Sequence, residues 1–416
     1  MTTEVIIKNQ SGLVMAADSA VTISNMFTDG KVYNSANKLF SLSKYDPIGI
    51  LIYNSVNINE IPVEIIIKEY RETLKPHQYD TLEEYFDGFK NFVQDFVNEH
   101  HKSYDLLQIF NIFLNALDQA ISKAHTESQQ PIDQFDVIEF INKTTDDYQK
   151  SCTQSDFRDG DDLIKKSDIM NFLKQPNSID TFNNHKNSSY YFAGIPDIQA
   201  IEQLFTYYTR YNIIQSYTGI AIAGYGNKDI FPKICKINIH GNIGTQLITS
   251  RENIISDEAS TIIPLAQRQM IDTFVRGVSD DILTNVNQLF ESNIDALISL
   301  ITDQLKDTCD KILLIAAIKA KLRENIKNIN DAIDMNYTQK TLISLSNLSK
   351  EEMAELAETL INLQALKYKV SPDLETVGGP VDVAIISKND GFVWKKRKLY
   401  FPPELNFHFF ENYFKK

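Results

Sequence analysis

What most constrains this chain is the order in which strand-forming and helix-forming stretches follow one another. Thr3 to Lys8 alternate and are rich in Val and Ile, the pattern of a strand. Gln10-Ser11-Gly12 is a turn signal, and Leu13 to Ala17 is a short apolar run ending at Asp18. A polar, turn-rich segment runs to Asn37, and two more strands follow at Leu39 to Leu42 and Ile48 to Tyr53, separated by Asp46-Pro47. From Pro62 to about Arg210 the apolar spacing turns helical, with Thr81 and Glu84 as a capping box ahead of Tyr85, Phe86 and Phe89. Strands return at Thr218 to Ala223, Ile230 to Ile239 and Gly244 to Thr249, with Gly224-Tyr225-Gly226-Asn227 as a turn and His240-Gly241-Asn242 as a link. Residues 257 to 369 read as helical, with a second capping box at Ser349 and Glu352. A hairpin around Lys388-Asn389-Asp390 closes the pattern. Runs of strands separated by runs of helices predict an α+β protein rather than alternating β-α-β units.

Composition removes several classes. Apolar residues make up 43% of 416 and charged ones 23%, ordinary globular values. The balance of 41 basic against 55 acidic residues leaves a net charge of −14, which argues against binding a nucleic-acid backbone. Three cysteines, Cys152, Cys235 and Cys309, without a C-x-x-C pair, point away from a disulfide framework or structural zinc and toward a reducing cytoplasm. No stretch reaches the ~20 apolar residues of a spanning helix, and the N-terminus lacks the pattern of a signal peptide. The common phosphate-loop, zinc and α/β-hydrolase motifs are absent from the sequence.

One chemical possibility stands at the N-terminus. If Met1 is removed, Thr2 carries both a hydroxyl and its own α-amine. That amine has a pKa of about 7.7–8.0, so it can be neutral near pH 7 and act as base for its own hydroxyl. Read from the residues alone, Thr2 is equally a frayed terminus, Asp18 a strand-ending turn residue, and Lys38 an edge-strand lysine.

The flanking blocks carry a resemblance. Met1-Thr2-Thr3-Glu4-Val5 followed by Gly12-Leu13-Val14-Met15-Ala16-Ala17-Asp18-Ser19-Ala20-Val21-Thr22 resembles the start of a mature proteasome β subunit. Asn37-Lys38-Leu39-Phe40 is similar to that family's lysine segment. Gly224-Tyr225-Gly226 resembles its central glycine turn, and Gly378-Gly379-Pro380-Val381-Asp382 with Asp390-Gly391-Phe392 its ending. The resemblance implies an N-terminal-nucleophile hydrolase fold: a four-layer αββα sandwich of two stacked, mostly antiparallel sheets. Residues 1–416 would form one domain, with core segments 1–60, 215–255 and 345–400 and helical insertions over about 62–210 and 257–345. It implies Thr2 as nucleophile, Lys38 lowering the cost of deprotonating it, Asp18 orienting Lys38, the Asn54 backbone N–H in an oxyanion hole, and Thr22 in substrate pairing. No cofactor or metal is implied. The partners implied are a peptide or protein substrate, further copies of the chain and an ATP-dependent unfoldase, with neither nucleic acid nor membrane. Asn54 stands where the family has glycine, Tyr225 where it often has serine, and Leu374 and Val377 where it has Asp and Ser. These departures keep a second function open: a catalytically inactive protein of the same fold, acting as a binding or assembly subunit.

Elsewhere the residues read as structural. His100, His101 and His125 read as surface histidines, Asp156 to Asp162 as a solvated loop, and Cys152 and Cys235 as buried thiols. The basic run Lys395 to Lys398 reads as a solvated edge, and the aromatic tail from Phe401 to Phe414 as a segment docked on the core.

Overall fold

The computed structural model describes residues 2–25, 28–100, 106–128, 135–154, 166–215, 217–243, 246–256, 259–302, 308–371 and 377–414. The first strand block gives β1 (Thr3–Asn9), β2 (Gly12–Ala17), β3 (Val21–Asn25), β4 (Thr28–Tyr33), β5 (Leu39–Ser41), β6 (Ile48–Asn54), β7 (Asn57–Ile58) and β8 (Ile61–Pro62). The helices α1 (Val63–Thr73), α2 (Leu82–His100), α3 (Leu106–Ser128), α4 (Val137–Gln154), α5 (Lys166–Leu173), α6 (Pro176–Ser188) and α7 (Glu202–Gln215) follow. Next come β9 (Thr218–Gly224), β10 (Lys233–Ile243), β11 (Gln246–Ile255) and β12 (Thr261–Ala266). Then come α8 (Gln269–Arg276), α9 (Asp280–Thr302), α10 (Thr308–Ile333), α11 (Gln339–Ser346) and α12 (Lys350–Val370). The hairpin β13 (Asp382–Ser387) and β14 (Gly391–Lys396) precedes a terminal α13 (Phe407–Phe414).

Among the described residues the strands build two five-stranded sheets, ordered β12-β1-β2-β13-β14 and β11-β10-β9-β6-β5, antiparallel throughout. Strand periodicity sorts the side chains into layers. Ile6, Leu13 and Met15 of the first sheet meet Leu39, Leu51 and Ala221 of the second. Val5, Ile7 and Val14 point the other way, against Met353, Ala357 and Leu360 of α12. The far face of the second sheet, with Ile50, Ile220 and Ile237, packs on Phe86, Phe89 and Val93 of α2. Each such buried side chain contributes on the order of 1.5–3 kcal/mol. The fold is therefore α+β, with two stacked antiparallel sheets between helical layers. Both capping boxes form: Thr81 Oγ1 accepts from the Glu84 N–H at 3.4 Å, and Ser349 Oγ from that of Glu352 at 3.2 Å. Helices α3 to α7 share a core of their own around Phe110, Phe113, Phe172 and Phe205. No helix among the described residues is long and apolar enough to cross a membrane.

Three local expectations need correction. The polar segment before Asn37 holds the β3–β4 hairpin, which its weak alternation hides. His240-Gly241-Asn242 is not a link; β10 runs through it with a shift of register between Ile239 and Gly241, a bulge that bends the strand without ending it. Residues 261–266 are not helical but form an edge strand on β1, with Pro264 opposite Val5. An edge tolerates proline because that strand needs donors on one side only. Gly224, at the end of β9, has φ +149, and a Cβ there would lie 2.1 Å from the Pro47 carbonyl oxygen. Only glycine fits that approach.

Candidate active site

The site grows from the head of β1. The register Glu4 to Ala17 puts Asp18 opposite Thr3. The Asp18 N–H donates to the Thr3 carbonyl at 3.1 Å, and the Thr3 N–H donates to Asp18 Oδ1 at 3.2 Å. On the other side the Gln267 N–H donates to the Thr2 carbonyl at 2.9 Å. Thr2 is thus clamped between β12 and the end of β2. Lys38 enters from the second sheet: its carbonyl accepts from the Ile52 N–H at 2.9 Å, and its Nζ donates to Asp18 Oδ1 at 2.5 Å. The glycine pair backs the carboxylate. The Gly378 N–H donates to Asp18 Oδ2 at 3.0 Å, and the Ser19 N–H donates to the Gly378 carbonyl at 3.2 Å. Gly379 holds φ +76, where a Cβ would come within 2.9 Å of Asn34 Cβ.

The structure therefore brings Thr2, Asp18 and Lys38 together. Thr2 is 3% exposed and its neighbours Asp18 and Lys38 1% each. The Thr2 hydroxyl is buried without a hydrogen-bond partner.

A fourth residue, Glu4, belongs to the cluster and is missing from the sequence-predicted set. It is wholly buried, and Lys38 Nζ lies 3.5 Å from its Oε1. Neither of its oxygens has a hydrogen bond of good geometry, although the Thr2 hydroxyl stands close enough to bias its titration. Burial raises the Glu4 pKa most; Lys38 opposes, the Asp18 charge adds, and the result is about 8. Burial thus favours the protonated form of Glu4 beside the Lys38–Asp18 pair. The signal was in the sequence: Glu4 is two residues from Thr2, hence on the same face of the strand. Tyr53 borders the cluster; burial, then Tyr217 and Glu4, hold its phenol above the ordinary value.

The other predicted positions have surroundings of their own. Asn54 ends β6 with φ +68, is exposed, and its Nδ2 donates to the Tyr217 carbonyl at 2.8 Å. Beside it, a polar cleft of about 210 Å³ is lined by Ser55, Asn57, Glu60, Tyr217 and His240 rather than by Thr2. Thr22 lies in the β3–β4 hairpin opposite Val32, and its side chain is outside the described residues. Tyr225 is buried in its turn, and burial pushes its phenol up to about 12.

The remaining candidates sort by burial. Cys235 is a free, buried thiol pushed up to about 12, chiefly by burial. The side chain of Cys152, residues 156–162, His101 and Leu374 lie outside the described residues. His100 stacks on Phe96 with ring centres 4.2 Å apart. His125 is half-buried rather than on the surface, against Phe135 and Tyr191. In the tail, Phe401 and Phe410 pair at 6.3 Å while Phe407 stays 71% exposed, so it is not docked throughout.

No family model matches this chain, and no curated protein matches it. Solved structures similar to it include two Anbu proteins. One is an Anbu (Gly-1) mutant from Hyphomicrobium sp. strain MC1, 10% identical over 96% of this chain and 86% of that one, with a TM-score of 0.27. The other is Anbu (ancestral beta-subunit) from Yersinia bercovieri, 7% identical over 99% of this chain and 94% of that one, with a TM-score of 0.28. Likeness this weak fixes neither family nor activity. The resemblance to proteasome β subunits is corrected accordingly: the short motifs do not amount to membership of that family. Turn glycines and apolar strand ends recur wherever antiparallel strands stack, so their order alone is not diagnostic.

Proposed function

We propose that this chain is an amide hydrolase, acting on a peptide or another amide, with Thr2 as nucleophile once Met1 is removed. The observation that carries this is the Thr2 hydroxyl, unpartnered beside the buried Lys38–Asp18 pair. The freed α-amine takes the hydroxyl proton, and Thr2 Oγ1 bonds to the substrate carbonyl carbon. The Lys38 ammonium stabilises the alkoxide by proximity, and Asp18 holds Lys38. The leaving amine departs with the proton, and water hydrolyses the resulting Thr2 ester. We assign oxyanion donation to the Asn54 N–H and pairing with an extended substrate to the strand around Thr22. This reading requires neither a ring nor an unfoldase.

Burial favours a second reading. A Thr2 only 3% exposed also suits a catalytically silent binding or assembly subunit. Intact mass before and after an epoxyketone, which reacts with hydroxyl and α-amine of an N-terminal threonine, separates the two. Loss of Met1 plus one adduct, absent in Thr2→Ala, supports the hydrolase. Retained Met1 in the native protein overturns the α-amine as base for Thr2.

A further inference from the structure

Two carboxylates border Thr2, and they are not equivalent. Asp18 has both oxygens committed: Oδ1 to the Thr3 N–H and Lys38 Nζ, Oδ2 to the Gly378 N–H. Glu4 is as deeply buried, yet both its oxygens lack such partners. Buried polar groups kept for stability are satisfied, and an open one calls for an explanation. Thr2, just ahead of β1, and Glu4 lie two residues apart and so on one side of the chain, and the Thr2 hydroxyl, also unpartnered, is the neighbour Glu4 has not bonded.

We propose that Glu4 is a catalytic residue that accepts the Thr2 hydroxyl proton, so that the site can activate its threonine without a free α-amine. This rests on the reading of Thr2 as nucleophile. The proton passes from Thr2 Oγ1 to a Glu4 oxygen as the Oγ1–carbon bond forms. Glu4 then gives it to the substrate nitrogen as the carbon–nitrogen bond breaks. In the second half the same carboxylate takes a proton from water as the water oxygen bonds to the ester carbon, and gives it to Thr2 Oγ1 as the Oγ1–carbon bond breaks, releasing the acid.

The groups facing Glu4 suit the role. Lys38, from the segment before β5, keeps the deprotonated form within reach, while burial and the Asp18 charge at the end of β2 oppose it. Tyr53 of β6 faces it too, and Arg251 of β11 acts on Tyr53. A pKa of about 8 is near that wanted of a general base at working pH. It coincides with the ordinary range of an α-amine, about 7.7–8.0. A pH profile alone therefore does not separate the two bases; removing one at a time does.

The test uses the full chain with one lysine inserted between Met1 and Thr2, which keeps the initiator methionine and denies Thr2 a free amine. The probe is a β-lactone, whose ring opens on a hydroxyl without needing that amine, followed by intact mass and peptide mapping. The expected result is acylation at Thr2 in the extended chain, slowed about a hundredfold or more by Glu4→Gln. Where Glu4→Gln does not fold, Glu4→Asp serves, its carboxylate withdrawn by one methylene; acylation slows but still rises with pH. An unchanged rate in either variant overturns the proposal. So does a chain that reacts only when processed, which leaves Thr2 standing as nucleophile with its amine as base. No adduct at Thr2 in any form, processed chain included, overturns the Thr2 reading itself and this proposal with it.

Discussion

The head of β1 and the outer strand β14 use the same chemistry, lysine against carboxylate, to opposite ends. On β14, Lys395 pairs with Glu351 and Lys396 with Glu358, whereas Lys398 just beyond it is 13% exposed beside a buried Asp382. Lys396 remains 52% exposed at its side chain, so water already solvates it and the pair gains little. Lys38, Asp18 and Glu4 are essentially removed from water. Taking the Lys38 and Asp18 charges out of water costs several kcal/mol each, which their attraction repays only with good geometry. A sheet core does not need that arrangement for stability, since apolar residues fill the rest of the space between the sheets. The contrast separates a solvated edge from a buried charge cluster, and it can be broken in four places.

The largest effect is expected from Lys38→Met. It strands Asp18 as a buried charge and should cost about 3–5 kcal/mol of stability, read by urea unfolding. A loss below about 1 kcal/mol would mean that the cluster is solvated like β14.

Next is a pH effect with a definite sign. The folded pKa of Glu4 lies above its unfolded value, from 4.5 to about 8. The native state therefore holds a proton that the unfolded chain has released, and stability falls as pH rises from about 4.5 to about 8. The total is on the order of a few kcal/mol. Glu4→Gln should flatten the fall in melting temperature across that window; an equal slope in both proteins would remove Glu4 as its source.

Thr2→Ala deletes a buried hydroxyl without a partner, so stability should change by no more than about 1 kcal/mol while hydrolysis disappears. Wild-type turnover in that variant would exclude Thr2 as nucleophile. The smallest effect is expected from Lys396→Ala, within about 1 kcal/mol in thermal melts at low salt. A larger loss would make the edge pairs structural and erase the contrast.

Much of the frame was legible. Alternation in β1 and β2, both capping boxes and the closing hairpin are local, and local propensity reports them. Hidden from it were β3 and β4, whose segment is polar, and β12, whose six residues with an internal proline match neither pattern until β1 supplies the partner. In the candidate site, motif spacing points to Thr2, Asp18 and Lys38, whereas Glu4 stays hidden because a glutamate in a strand normally marks a solvent face. Asn54 shows the converse. Its place at a strand end was readable, but not that its side chain would turn to Tyr217.

By itself the sequence determined which side chains share a strand face, because strand periodicity is a property of consecutive residues. It thereby put Glu4 and Ile6 on one face of β1, with Thr2 just ahead of them in the same alternation. Only the tertiary structure decided that this face would be buried against Lys38 from the second sheet. Desolvation and charge separation depend on what stands opposite, and the chain supplies that from residues more than thirty positions away.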